Sequence, residues 1–361
     1  MKINFLVPTL GLTGGMKVIF QHANNLEKFG HEIAIICPLV LNKDAALKEK
    51  IIGVVKAIKY LLLKIFGRTR VKWFKLDKKI KIFRPFDLSF KNVPKADITI
   101  ATANETADWL IDYPFDRGEK FYFIQDYENW TRSLEKVDAT YKMPLKKIVI
   151  SSQLKELIEN KFQEKVYGLV PNGINLNCFY NNHKTFNKDK RILMMYHVLE
   201  KKGFKEGLKA FKIVKEKYPE INLTVFGAYK YKNNSDFNYY YQPKIDGLRK
   251  LYCDCDIFVW PSREEGYGLP PMEAMACGCA VISTDTGAIR EYAIDGQTVI
   301  IVPSNNSEIL AQKIIELIED EDKLKNLSAN AQEKIKEFSL DKSSSILENI
   351  LKQNINYDKN S

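Results

Sequence analysis

Runs of five or six mostly apolar residues, each followed by a charged amphipathic stretch, recur along nearly the whole chain. In the first half they are KINFLV (Lys2 to Val7), EIAIIC (Glu32 to Cys37), Asp97 to Ala101, Lys120 to Gln125 and Lys146 to Ile150. In the second half they are RILMMY (Arg191 to Tyr196), NLTVFG (Asn222 to Gly227), DIFVW (Asp256 to Trp260), AVIST (Ala280 to Thr284) and TVIIV (Thr298 to Val302). Strands separated by helices cannot form hairpins; they pair in parallel through right-handed crossovers. The pattern therefore predicts an α/β chain built on parallel sheets. Met16 to Phe29 reads as the first helix, with Gly30 as its C-terminal stop. Asn181 to Lys190 and the Asn- and Tyr-rich stretch Tyr229 to Tyr241 read as loops, and the pattern from Glu308 onward is helical.

The 361 residues correspond to two domains at about 150 residues each. Pro followed by Asn-Gly in VPNGIN (Val170 to Asn175) breaks regular structure and marks the boundary. The expected division is 1–168 and 169–335, with 336–361 as a C-terminal helix that crosses back to the first domain and ends in a frayed tail. With 45% apolar and 28% charged residues, disordered and collagen-like classes are excluded. No apolar stretch reaches the roughly 18 residues that a membrane span needs. The amino terminus reads as a first strand and not as a signal peptide. Six cysteines without framework spacing point to a reducing, cytoplasmic setting.

Ligands of such sheets bind beyond the carboxyl ends of the strands, so the loop after DIFVW carries the most information. It reads SREEGYGLPPMEAMACGCAV, Ser262 to Val281. Glu265 and Glu273 stand with seven residues between them, Gly266 and Gly268 admit close backbone approach, and Pro270-Pro271 open a helix beginning near Met272. A positive helix end suits an oxygen-rich anionic ligand. Two carboxylates beside it suit hydroxyls, as sugars provide.

This segment resembles the E-x7-E region of the retaining glycosyltransferases of family 4, the glycosyl transferases group 1 type. The likeness continues through STDTGAIREYAIDG (Ser283 to Gly296) and reaches back to VPNGIN and KKGFKEGLKAF (Lys201 to Phe211), while the amino-terminal half matches in outline. The resemblance implies the GT-B fold: two Rossmann-like doubly wound domains facing a central cleft, acceptor on the first and nucleotide sugar on the second. It implies that Glu265 lies by the donor sugar, Glu273 holds the ribose hydroxyls and Lys202 meets the donor diphosphate. Arg263, Tyr267 and Leu269 are expected around the donor. The family usually has an arginine where this chain has His197, so either the diphosphate protonates His197, or Lys201 or Arg263 compensates. Gly14 and Gly15, in GLTGG between the first strand and helix, match a family diglycine that approaches phosphate or acceptor. The family often has a cleft histidine where this chain reads FYFIQDYENW (Phe121 to Trp130). Asp126 there accepts the acceptor's proton, merely hydrogen-bonds it, or caps a helix. The FIQDYE wording is similar to a subgroup that includes rhamnan-type rhamnosyltransferases.

Neither a metal nor a cofactor is expected. Asp254-Cys255-Asp256 spells the D-x-D of a different glycosyltransferase fold but abuts a buried strand, where a structural aspartate fits better. Cys253/Cys255 and Cys277/Cys279 lack zinc-knuckle spacing and read as buried free thiols.

The net charge of +10 sits in one place. Residues 45–95 carry 15 Lys/Arg against three acids, a balance of +12 that leaves −2 for the remainder. Within this segment Ile51, Val54, Val55, Ile58, Leu61, Leu62 and Ile65 recur at helical spacing. Lys48, Lys56 and Lys59 lie on the other side, and Arg68, Arg70, Lys72, Trp73 and Phe74 follow. Such a helix can lie on an anionic membrane with its apolar face down, or pack that face on the sheet with its lysines solvated. No nucleic-acid reader motif accompanies the charge. The expected function is retaining transfer of a hexosyl or deoxyhexosyl group from a nucleotide-diphosphate sugar to a glycan or lipid-linked acceptor, in surface polysaccharide or glycoconjugate synthesis. The expected setting is the inner membrane face. The alternatives are a catalytically idle nucleotide-sugar-binding partner of a glycan assembly complex, or a sugar phosphorylase.

Overall fold

A computed structural model describes the chain except residues 66–70, 129–130, 233–236 and 356–361. The chain divides into two compact units, Met1–Pro171 with Asp341–Ser361, and Asn172–Leu340.

The first unit runs β1 (Lys2–Leu6), α1 (Gly14–Lys28), β2 (Glu32–Ile36), α2 (Leu47–Ile65), β3 (Lys81–Phe83), β4 (Ile98–Ala101), α3 (Asn104–Leu110), β5 (Glu119–Ile124), α4 (Leu134–Tyr141), β6 (Lys146–Val149), α5 (Ser152–Glu156) and β7 (Val166–Leu169). Its strands form one parallel sheet in the order β3-β2-β1-β4-β5-β6-β7. The second unit runs β8 (Arg191–Tyr196), α6 (Phe204–Lys217), β9 (Asn222–Gly227), β10 (Asn238–Tyr241), α7 (Ile245–Asp254), β11 (Ile257–Trp260), α8 (Leu269–Ala276), β12 (Ala280–Thr284), α9 (Ile289–Tyr292), β13 (Ile300–Val302), α10 (Ser307–Glu319) and α11 (Glu321–Lys334). Its sheet, also parallel, has the order β10-β9-β8-β11-β12-β13. A final helix, α12 (Leu340–Gln353), packs with the first unit. There Ser344 Oγ hydrogen-bonds His22 Nδ1, Asp341 accepts from Asn25, and Glu348 meets His31.

Each apolar run is a central strand because both faces of a parallel sheet are covered by helices. In the second unit Ile192, Met194, Val225, Ile257, Val259 and Ile282 meet Phe211 and Val214 of α6 and Leu310 and Ile314 of α10 in one core. In both sheets the strand order reverses beside the first strand of the unit, at β1/β4 and at β8/β11. Crevices at such switch points are where doubly wound sheets bind ligands.

Two expectations are corrected. Tyr229 to Tyr241 is not all loop: Asn238–Tyr241 forms the edge strand β10, and the tyrosines there pack around Tyr196 and Phe204. The helix after the E-x7-E loop begins at Leu269, three residues before Met272, so both prolines lie inside its first turn. Trp73 and Phe74, which follow α2, both pack at a tilt on Phe20 of α1, and the Trp73 indole donates to Leu10 O at 2.8 Å.

The apolar stripe of α2 faces away from the protein. Ile51, Val54, Val55, Ile58, Leu61 and Leu62 are each at least half exposed, while Gly53 on the opposite side is buried. Packing of the stripe on the sheet is thereby excluded for these residues. The side chain of Ile65, and Arg68 and Arg70, lie outside what is described. Among the described residues no helix is long and apolar enough to cross a membrane.

Candidate functional site

The loops that leave β8 and β11 meet at the switch point of the second sheet. Contact is close enough that position 203 must be glycine: its φ is +66°, and a Cβ there would stand 1.8 Å from Pro261 O. Lys201 O accepts from Arg263 N at 2.7 Å, which locks the two loops together. With its backbone so fixed, Lys202 reaches Glu265, and its Nζ donates to Oε1 at 2.7 Å. Ser262 Oγ donates to the same oxygen at 2.9 Å. Both side chains of the ion pair are mostly buried, 17% and 9% exposed, so the attraction is less screened than at an open surface.

Glu273 projects from α8 and is 4% exposed. The Tyr252 hydroxyl of α7 donates to its Oε2 at 3.0 Å. Gly268, at φ +93°, is the N-cap residue of α8, and Leu269 is the first helical residue. Pro270 and Pro271 have no N–H, so amide donation at this helix end rests on Gly268 and Leu269. Gly266 is half-buried between Glu265 and Tyr267, and the buried Tyr267 ring stacks on Tyr292 at 5.6 Å.

His197 follows β8 directly. Burial, and then the ammonium groups of Lys202 and Lys201, hold its pKa down to about 4. Its Nδ1 accepts from Leu199 N at 3.0 Å. The ring is therefore a neutral imidazole with its proton on Nε2, a single donor in place of an arginine fork. Arg263 does not stand free to compensate, because its guanidinium pairs with Glu206 of α6. Lys201 lies 3.8 Å from Glu264.

In the first unit Gly14 and Gly15 are the opening residues of α1, whose N-cap Thr13 accepts from Met16 N at 3.1 Å. A Cβ at Gly15 would lie 3.3 Å from Gln125 Nε2, so the glycine turn and the end of β5 adjoin. Asp126 is half-buried and its Oδ1 accepts from Tyr127 N at 2.8 Å, and the N-cap residues of α3 and α4 are Ala103 and Ser133. Glu128, three residues beyond Gln125, is half-buried and accepts from both the backbone and the side-chain nitrogens of Asn104, at 2.8 and 2.9 Å.

The structure thus places His197, Lys202, Arg263 and Glu265 on the loops after β8 and β11 and Glu273 on α8, all in the second unit, and Gly14, Gly15 and Asp126 in the first. The sequence did not reveal Ser262, Glu206 or Tyr252 as their supports. Tyr252 stands 21 residues before the carboxylate it holds, and no local pattern announces such a pairing. Asp256 of the D-x-D stretch is buried and accepts from Asn187 N, Asn187 Nδ2 and Arg191 N, so it ties down the turn before β8. All six cysteines are free thiols.

Residues 179–334 match the glycosyl transferases group 1 family. That segment belongs to this family. The chain is 30% identical to the capsular polysaccharide biosynthesis glycosyltransferase CapM of Staphylococcus aureus, over 53% of this chain and 54% of the relative. It is 28% identical to the N,N'-diacetylbacillosaminyl-diphospho-undecaprenol alpha-1,3-N-acetylgalactosaminyltransferase of Campylobacter jejuni, over 62% of this chain and 66% of the relative. The chain spans about half to two thirds of the length of these curated relatives. Among solved structures, Anabaena HepE in complex with UDP and glucose superimposes with a TM-score of 0.72 at 15% identity, covering 98% of this chain and 100% of that one. The fold is accordingly α/β of the GT-B type.

Proposed function

We propose that the chain is a retaining glycosyltransferase, moving a hexosyl or deoxyhexosyl group from a nucleoside-diphosphate sugar to a glycan or lipid-linked acceptor. The observation that carries this is the Lys202–Glu265 pair at the switch point, with Glu273 on the helix that follows. Without donor, Lys202 rests on Glu265. A diphosphate bears more charge than one carboxylate and draws the ammonium to itself, which releases Glu265 oxygens to accept from sugar hydroxyls. As the glycosidic bond breaks, charge grows on the leaving diphosphate, and Lys202, the α8 amides and the Nε2–H of His197 are the donors that stabilise it. No metal enters this scheme. Glu273, oriented by Tyr252, takes the ribose hydroxyls. The first unit offers Asp126, beside the glycine turn, to an acceptor hydroxyl.

CapM is named for capsular polysaccharide synthesis and the Campylobacter relative for a diphospho-undecaprenol substrate, which supports a surface glycan on a lipid carrier as acceptor class. The outward apolar stripe of α2, bordered by lysines, supports seating on an anionic membrane from its inner face. The test is transfer of radiolabel from a panel of nucleotide sugars into membrane extract. We expect transfer with at least one donor and its loss, by about two orders of magnitude or more, in Glu265→Ala. Nucleotide binding without turnover across the panel would replace the enzyme by an idle binding partner.

A further inference from the structure

We infer that Tyr127 is a positioning residue for acceptor binding: a clamp on its hydroxyl holds the Asp126 carboxylate in place at the end of β5. That role rests on the one proposed for Asp126, and every group in it belongs to the first unit. Gln125, Asp126 and Tyr127 follow β5 directly, and the Gln125 side chain adjoins the glycine turn at Gly15. Ligands of doubly wound sheets bind beyond such strand ends. The Tyr127 backbone N–H donates to Asp126 Oδ1 at 2.8 Å. A carboxylate held by the amide of the next residue turns with that peptide. Whatever fixes Tyr127 therefore fixes the direction of Asp126.

Two neighbouring segments fix Tyr127 through its side chain. Its hydroxyl donates to Asp138 Oδ1 of α4 at 2.6 Å and accepts from Lys161 Nζ at 2.8 Å. Lys161 Nζ stands 3.0 Å from Asp138 Oδ2, which closes a circuit of three polar groups. Lys161 is the last residue of a single π-helical turn, Leu157–Lys161, that follows α5. Single π-turns of this kind recur at functional sites. The Tyr127 ring packs at a tilt on Tyr141 of α4, with centroids 5.9 Å apart. Tyr141 is fully buried, and its hydroxyl donates to Asp126 O at 3.2 Å. Asp126 and Tyr127 are thus anchored to α4 at both backbone and side chain.

Folding stability does not account for the circuit. The side chains of Lys161 and Asp138 are 45% and 28% exposed, and pairs this open contribute little to stability. Nor does a half-buried tyrosine hydroxyl need two charged partners, since water can serve it. Placement of a reacting group is far more sensitive: a shift of about 1 Å can cost a reaction roughly a hundredfold. An acceptor hydroxyl must meet Asp126 within that tolerance, and the clamp holds the carboxylate there before the acceptor arrives.

Tyr127→Phe removes the hydroxyl and keeps both the ring and the backbone amide. Radiolabel transfer from UDP-, GDP- and dTDP-sugars is measured with membrane extract in serial dilution, alongside donor KM and melting temperature. We expect the half-saturating amount of extract to rise about tenfold, with donor KM and melting temperature unchanged. Lys161→Met should act in the same direction, and Lys161→Arg, which still donates to the hydroxyl, should restore the native value. In an Asp126→Ala chain, Tyr127→Phe should add nothing, because the two act as one unit. A rise that persists in Asp126→Ala, or an equal rise in donor KM, overturns the positioning role. Transfer by Tyr127→Phe with the native dependence on extract overturns it too. Failure of the native chain to transfer from any donor overturns the proposed function, and the positioning role falls with it.

Discussion

Glu128 shows how a residue with no motif of its own can govern pH behaviour. Burial first, and then the neighbouring carboxylates Glu105 of α3 and Asp126 of the same loop, raise it from the ordinary glutamate range to about 7, against the Asn104 hydrogen bonds that favour the ionised form. Tyr122 and Tyr141 also face it. An acid whose pKa is raised by folding holds its proton more tightly in the native state. Its contribution to stability is therefore full below about pH 4.5, declines as pH rises towards 7, and is lost above that. The window corresponds to about 3 kcal/mol. Denaturation of the native chain and of Glu128→Gln across pH 4.5 to 8 should show this decline in the native chain only; parallel profiles would remove Glu128 as the cause. Residues of this kind were not legible beforehand. Glu265 and Glu273 were singled out by the loop and helix start on which they stand, and Lys202 only by the family resemblance. Glu128, Tyr252 and Ser262 take their roles from contacts that only the folded chain assembles.

The strands that the apolar runs revealed are mainly those buried on both faces. The three that escaped, β3, β7 and β10, all lie at sheet edges, where the faces are half-buried or exposed and the sequence needs no continuous apolar run. Helix α2 illustrates a different limit. Periodicity locates its apolar stripe but leaves open which way the stripe points, and here it points outward, with Lys48 and Lys59 along one border and Lys50 along the other. Each lysine near an anionic surface contributes roughly 1 kcal/mol, and apolar side chains that enter the bilayer add to that. Vesicle flotation should therefore recover the chain with anionic lipid and less of it at high salt. Ile58→Glu with Leu62→Glu should abolish recovery while leaving the fold intact, because both positions are solvent-exposed. Equal recovery of this double variant would mean that the stripe is not what enters the membrane.

At the scale of the whole molecule, the chain leaves the first unit at Pro171 and re-enters it at Asp341. The returning helix is not ornamental packing. Leu347 and Leu351 are fully buried, Ser343 Oγ donates to Pro171 O at 2.5 Å, and Ser344 hydrogen-bonds the buried His22 ring, whose pKa burial lowers to about 4. Burial of each leucine is worth about 1.5–3 kcal/mol, and the polar partners of His22 and Asn25 would be lost with the helix. Ending the chain after Leu340 should therefore destabilise the first unit by roughly 3–6 kcal/mol, a large share of what holds a domain together. The second unit, whose core is made within Asn172–Leu340, should lose none of its own contacts. Calorimetry of the shortened chain should show one transition shifted sharply down or missing, and the other near its original temperature. Restoring 341–361 as a separate peptide should recover part of the loss. An unchanged first transition would place the stability of that unit wholly within residues 1–171, with α12 a bystander.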